Sequence, residues 1–134
     1  MNGDTQKAID LVVLALCAWR ENRHGQIPGM QSVINCIMNR VKQRNQEAYY
    51  VITAPRQFSS MTAIGDAQLG LYPNQNDQQW SEALDLAAQG IAGTLADITG
   101  GATSYYALSM TSPPPYWAPS MTPTVVVAGQ QFLK

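Results

Sequence analysis

Glu21 stands three residues after an apolar run, Ala8 to Ala18, in which Asp10 is the only charge, and it precedes Asn22-Arg23. A carboxyl at the edge of a core and at the C-terminal end of a helix is pushed towards its protonated form by desolvation and by the helix dipole. A carboxylic acid that keeps its proton near neutral pH is what general-acid catalysis requires. The same position also suits a plain solvated glutamate paired with Arg20 or Arg23, and residue types alone leave both readings open.

Other reactive side chains are few. His24 is the single histidine and reads as a surface residue helping to close a helix. Cys17 precedes it by seven residues, roughly 10 Å along a helix, which is beyond hydrogen-bond reach. Cys36 sits inside an apolar helical pattern, so both thiols read as core residues. Whether they form a disulfide is open at this point. Two cysteines and one histidine, with no CxxC pair, do not make a structural zinc site. No metal or cofactor is indicated. There is no GxSxG elbow, and Gly100-Gly101 lacks the lysine of a phosphate loop. Asp66, Asp77, Glu82, Asp85 and Asp97 are candidates for the second carboxylate of a conventional glycosidase, but none stands out. Tyr105, Tyr106, Tyr116 and Trp117 cluster among turn residues and prolines. Rings on such segments either stack on sugar faces or seal the end of the core.

The elements that must position these residues are mostly helical. Asp4 or Thr5 can cap a helix starting near Gln6. This helix is apolar nearly all round and belongs in the core, with Gly25 as its stop. Pro28 fits the first turn of a second helix, whose Met30, Val33, Ile34, Ile37, Met38 and Val41 recur at spacings of three and four up to about Gln43. A short third helix covers Glu47 to Thr53. Residues 54 to 79 read as a long irregular segment, of the kind that is usually functional in a compact domain. A further helix starts at Trp80, and Gly90 and Gly93 end or loosen it. Asp97 to Gly101 reads as a turn and Thr103 to Leu108 as β-prone. Val125-Val126-Val127, Ala128-Gly129 and Gln131-Phe132-Leu133 read as a terminal hairpin. The fold class is therefore mainly α (α+β): a helical core with a small C-terminal β-hairpin in one domain, 1–134.

The chain has 134 residues, 46% hydrophobic and 13% charged, with a formal net charge of −1. That size supports a core without staples. The balance does not suit a nucleic-acid-binding domain, which would carry a basic stripe. Arg40, Lys42 and Arg44 form the nearest basic cluster and read as a solvated helix end. The run from Ala8 to Ala18 is too short to span a bilayer. It lacks the charge pattern of a signal peptide and reads as a helix retained in the mature protein.

Several short strings, taken in order, resemble one family. Glu21-Asn22-Arg23 is similar to its Glu-Ala-Arg, and Asn39-Arg40-Val41 to its Asn-Arg-Val. Gln57-Phe58-Ser59 resembles its Gln-Phe-Ser/Cys, and Trp80 to Ala87 its Trp-x-x-Ala-Leu-x-x-Ala helix. Asp97-Ile98-Thr99-Gly100-Gly101-Ala102 resembles its Asp-Pro-Thr-Gly-Gly-Ala turn, and Pro115 to Ala118 and Gly129 to Phe132 its closing elements. The family is that of bacterial and phage cell-wall hydrolases related to the spore cortex-lytic enzymes. His24 and Ile98 depart from its pattern, and Ala63 to Gln79 does not align with it.

The resemblance implies a lysozyme-like domain that cuts the glycan strands of peptidoglycan, with Glu21 as the catalytic acid. It implies a lytic transglycosylase acting between N-acetylmuramic acid and N-acetylglucosamine, a route that needs a single carboxyl group. It implies that Gln57, Ser59 and Tyr105 orient the sugars, and Tyr106 and Trp117 are expected beside them as substrate-binding rings. A phage or prophage lysis protein is expected, monomeric and acting at the bacterial wall after release from the cytoplasm. The alternatives are a hydrolytic muramidase and a non-catalytic wall-binding or virion module on the same fold.

Overall fold

The computed structural model describes residues 3–109 and 113–134. Helix α1 (Gly3–Asn22) runs through the centre and packs on α2 (Gln26–Arg44), α3 (Ala48–Thr53) and α5 (Gln78–Ala92). One 3-10 turn, Arg23–Gly25, joins α1 to α2, with the Asn22 side chain accepting from the Gly25 N–H. Leu14, Ala15, Cys17, Ala18 and Trp19 of α1 are buried against Val33, Ile34 and Ile37 of α2 and Ala83, Leu86 and Ala87 of α5. The spacings of three and four that predict these helices are thus the spacings that fill the core. α1 is not buried all round as its composition suggests: Val12 is 51% exposed.

Asp10, the one charge inside the apolar run, is buried, and its carboxylate accepts from the Tyr49 N–H. It thereby caps α3 from another helix, since the Glu47 side chain makes no cap bond there. α5 begins two residues before Trp80, at Gln78, after the N-cap Asp77, whose carboxylate accepts from the Trp80 N–H and from Trp19 Nε1. Gly90 does not end this helix. A Cβ there would meet Ile34 Cγ2 at 2.9 Å, so glycine permits the close approach of α5 to α2. Gly93, left-handed at φ 79°, makes the stop.

Arg40 corrects the sequence reading of a solvated basic cluster. It is buried, its Nε donates to the Thr103 carbonyl, its Nη1 donates to Gln57 Oε1, and its guanidinium lies over the Phe58 ring. It lies three residues after Ile37 and seven after Val33, and so shares their inward face. Lys42 and Arg44 are exposed, as expected.

The terminal hairpin forms as β2 (Pro123–Val127) and β3 (Gln130–Leu133). Ala128 and Gly129 both take positive φ at its two-residue turn. A third strand, β1 (Ser104–Ala107), pairs antiparallel with β3, so the sheet order is β1-β3-β2. A lone hairpin is marginal in water, and the added strand and the burial of Phe132 give it a hydrophobic footing. Among the described residues no helix is long and apolar enough to cross a membrane.

Asp97 organises the turn that leads into β1. It accepts from the Thr99 N–H and Oγ1, the Gly101 N–H and Asn39 Nδ2. Partial burial pushes its carboxyl up, but the hydrogen bonds from Thr99, Asn39 and Gly101 together outweigh it and hold the group below its ordinary range. A depressed folded-state value stabilises the fold above the unfolded value of about 4, and that contribution is lost as pH falls through the folded value. Asp97→Asn is therefore expected to melt below wild type at about pH 6, with the gap closing towards about pH 2 in calorimetric scans. A gap of equal size at both ends would mean that the charge contributes nothing.

Candidate active site

Two elements, α4 (Ser59–Thr62) and β1, converge on Glu21, which lies half-buried in the last turn of α1. Ser60 belongs to α4, a single helical turn inside the long segment expected to be irregular. Its hydroxyl, 2% exposed as a residue, donates to Glu21 Oε2 at 2.6 Å. Tyr105, on β1, donates its hydroxyl to Oε1 at 2.5 Å. Each carboxylate oxygen thus has one hydroxyl donor, and the two donors lie 39 and 84 residues away in sequence. Neither Arg20 nor Arg23 pairs with Glu21 in these bonds. Arg20 binds the backbone of the following loop, while Arg23 binds the Trp19 carbonyl and Gln68 and stacks over the Trp19 ring.

Tyr105 is positioned by its strand partner. It pairs with Phe132 in register, and the two rings lie 5.2 Å apart. Burial, and then the Glu21 charge beside it, hold its phenol well above the ordinary range, so it stays a protonated donor. Successive side chains on a strand point to opposite faces. Tyr106 accordingly meets Trp117 edge-on at 6.2 Å, and no hydrogen bond links it to Glu21. Gln57 and Ser59 are exposed and engaged elsewhere: Gln57 accepts from Arg40, and Ser59 donates to Asp66. Of the candidate sugar-binding residues, the structure brings only Tyr105 into contact with Glu21. Ser60, which sequence reasoning missed, is the second contact. The neighbouring Gln-Phe-Ser string pointed to its segment but to the wrong serine.

Asn22 ties the site to the sheet. Its side-chain amide donates to the Ala128 carbonyl and to Gln130 Oε1 across the hairpin turn. A Cβ at Gly29 would meet the Asn22 carbonyl at 2.8 Å, so the first turn of α2 passes directly against this corner. The end of α1 is therefore gripped on three sides, by the hairpin through Asn22, by α4 through Glu21, and by residues 68 and 79 through Arg23.

The rival chemistries lose their geometry. Cys17 and Cys36 are free and buried. Burial pushes the Cys17 thiol well up and the Cys36 thiol up to about 12, whereas a nucleophilic cysteine needs an accessible thiolate. His24 is exposed on the 3-10 turn. A concavity of about 630 Å³ lies along the start of α1 and the end of α2, lined by residues such as Lys7, Met38 and Ala48, and does not include Glu21. Of the two carboxylates that line it, Asp10 and Glu47, Asp10 is already committed to α3.

A cell wall hydrolase family model matches residues 25–133. The chain belongs to the cell wall hydrolase family. The matched span begins after α1, so Glu21 precedes it. The whole of this cell wall hydrolase is similar to the catalytic domain of the germination-specific lytic transglycosylase SleB from Bacillus anthracis. The identity is 26%, the TM-score is 0.72, and 99% of that chain is covered. The mainly helical fold with its terminal antiparallel sheet is shared with that domain. A comparison with curated proteins finds no significant match.

Proposed function

We propose that this cell wall hydrolase cleaves the glycan strands of peptidoglycan as a lytic transglycosylase, with Glu21 as acid and then base. The observation that carries the reading is the half-buried Glu21 carboxyl set between two hydroxyl groups. A hydroxyl donates or accepts as its rotor turns. When Glu21 is ionised, Ser60 and Tyr105 both donate to it. When it holds a proton, either can turn to accept or release it. Hydroxyl partners therefore tolerate a carboxyl group that changes protonation state twice per turnover, which a fixed guanidinium would oppose.

In the first step Glu21 gives its proton to the oxygen bridging N-acetylmuramic acid and N-acetylglucosamine. The bond from that oxygen to the muramic C1 breaks, and positive charge develops at the ring. In the second step the muramic 6-hydroxyl attacks C1 and Glu21 takes the hydroxyl proton, closing a 1,6-anhydro ring. No water is consumed, and Glu21 ends as it began.

The engagement of three of the five other candidate carboxylates supports a route with one carboxyl group. Asp66 accepts from Ser59 and the Gln68 N–H, Asp77 caps α5, and Asp97 builds its turn. A hydrolytic glycosidase needs a second free carboxylate facing the same bond. The similarity to the SleB catalytic domain points the same way.

Mass spectrometry of muropeptides released from purified sacculi tests the reaction class. Anhydromuramic ends are expected. Reducing muramic ends, about 18 Da heavier by one water, would instead assign a hydrolytic muramidase using a second acid.

A further inference from the structure

Arg20 precedes Glu21 and is only 6% exposed, yet no hydrogen bond from it reaches a carboxylate among the described residues. Its Nε donates to the Leu71 carbonyl and its Nη1 to the Ser60 carbonyl, both at 3.0 Å. Nη1 also lies 3.5 Å from Met61 Sδ, the Tyr72 ring covers the guanidinium at 4.9 Å, and Nη2 is buried with no partner.

Burying a guanidinium with no carboxylate hydrogen-bonded to it, and leaving one arm unbonded, costs stability that an apolar side chain at this position would not. What the cation does in return is specific. It grips the backbone at both ends of residues 60–71, the segment that carries Ser60. The residue whose carbonyl it holds is the residue whose hydroxyl reaches Glu21. α4 is one turn long, and no side chain caps its start, so α4 alone fixes Ser60 poorly.

We propose that Arg20 is the positioning residue of this site: its guanidinium fixes the backbone at Ser60 and Leu71 and thereby sets the Ser60 hydroxyl on the Glu21 carboxyl. The rigid fork is what the task needs. It presents two donors in a fixed plane to two carbonyls, where a lysine ammonium would follow only one. The proposal rests on the reading of Glu21 as the acid and base, and adds the device that orients it.

The test is a double-mutant cycle on Arg20 and Ser60, read as kcat and KM on soluble peptidoglycan oligosaccharides. Ser60→Ala is expected to lower kcat roughly 10- to 100-fold, the worth of one hydrogen bond to a charged group. Arg20→Lys is expected to lower kcat by about tenfold or more with KM within about twofold of wild type. In the double variant the losses should not multiply: it should be no slower than Ser60→Ala alone within about twofold, because both changes remove the same bond. A product of the two losses would overturn the proposal, since Arg20 would then act without Ser60. So would an unchanged kcat in Arg20→Lys or in Ser60→Ala. Should Arg20→Lys melt below the assay temperature, Arg20→Gln, which keeps a single donor arm, takes its place in the cycle. Glu21→Gln is run alongside. If it retained activity, the reading of Glu21 would fail, whereas an inactive Glu21→Gln with multiplying losses would sink only the role of Arg20.

Discussion

Glu21→Gln is expected to lower peptidoglycan turnover by roughly 10²–10⁴-fold, the contribution of a positioned general acid–base group, while the protein folds and melts nearly as wild type does. The amide has the shape of the carboxyl. Its oxygen still accepts from Tyr105, and its NH₂ can donate to Ser60 Oγ once that hydroxyl turns. What is lost is the ability to give a proton to a leaving oxygen and to take one back. Release of soluble fragments from sacculi measures the loss, and a melting curve checks the fold. If the carboxyl served only as a structural acceptor for its two hydroxyls, the amide would serve almost as well and activity would survive.

Phe132→Ala is expected to have the largest effect on stability, about 3–5 kcal/mol, because it empties a fully enclosed aromatic site. For a chain of this size the midpoint should fall by roughly 10–20 °C. Phe132 packs with Cys36 and Ala102 beneath the sheet and lies against Tyr105. The cavity therefore opens directly under a residue that touches Glu21. Activity below the new midpoint should also fall, through the loosened tyrosine. Calorimetry and sacculus digestion on the same sample separate the two effects. A midpoint within a degree or two of wild type would show that the sheet is not anchored by this ring.

Much of this was readable in the residues. The helices follow from apolar spacing, and the terminal hairpin from Val125 to Leu133 with its Ala128-Gly129 turn. The place of Glu21 at the end of a core helix follows from the run that precedes it. Its partners were harder. Tyr105 and Tyr106 are equivalent as letters, and strand alternation says only that one of them faces each way. The pairing of Tyr105 with Phe132, 27 residues later, decides which. Ser59 and Ser60 pose the same problem on a single helical turn too short for a periodic signal.

Buried charges were the systematic blind spot. Arg40 reads as a solvated helix end, Arg20 as a partner for a solvated Glu21 and Asp10 only as a charge inside an apolar run, yet each is enclosed and spent on a distant backbone group. Such partners follow from tertiary packing, and no local rule names them. Arg40 is the exception that could have been caught, since it continues the inward stripe of Val33 and Ile37 on α2.

The central claim, that Glu21 hands a proton to the oxygen between two sugars, is tested most directly by a crystal structure. Inactive Glu21→Gln would be solved with an uncleaved N-acetylglucosamine–N-acetylmuramic acid oligomer. The expected result places the amide nitrogen within about 2.7–3.2 Å of a bridging glycosidic oxygen, with the muramic ring on the side of C1 from which its own 6-hydroxyl can close. An oligomer seated away from the end of α1, for instance along the concavity beside Lys7 and Met38, would contradict it.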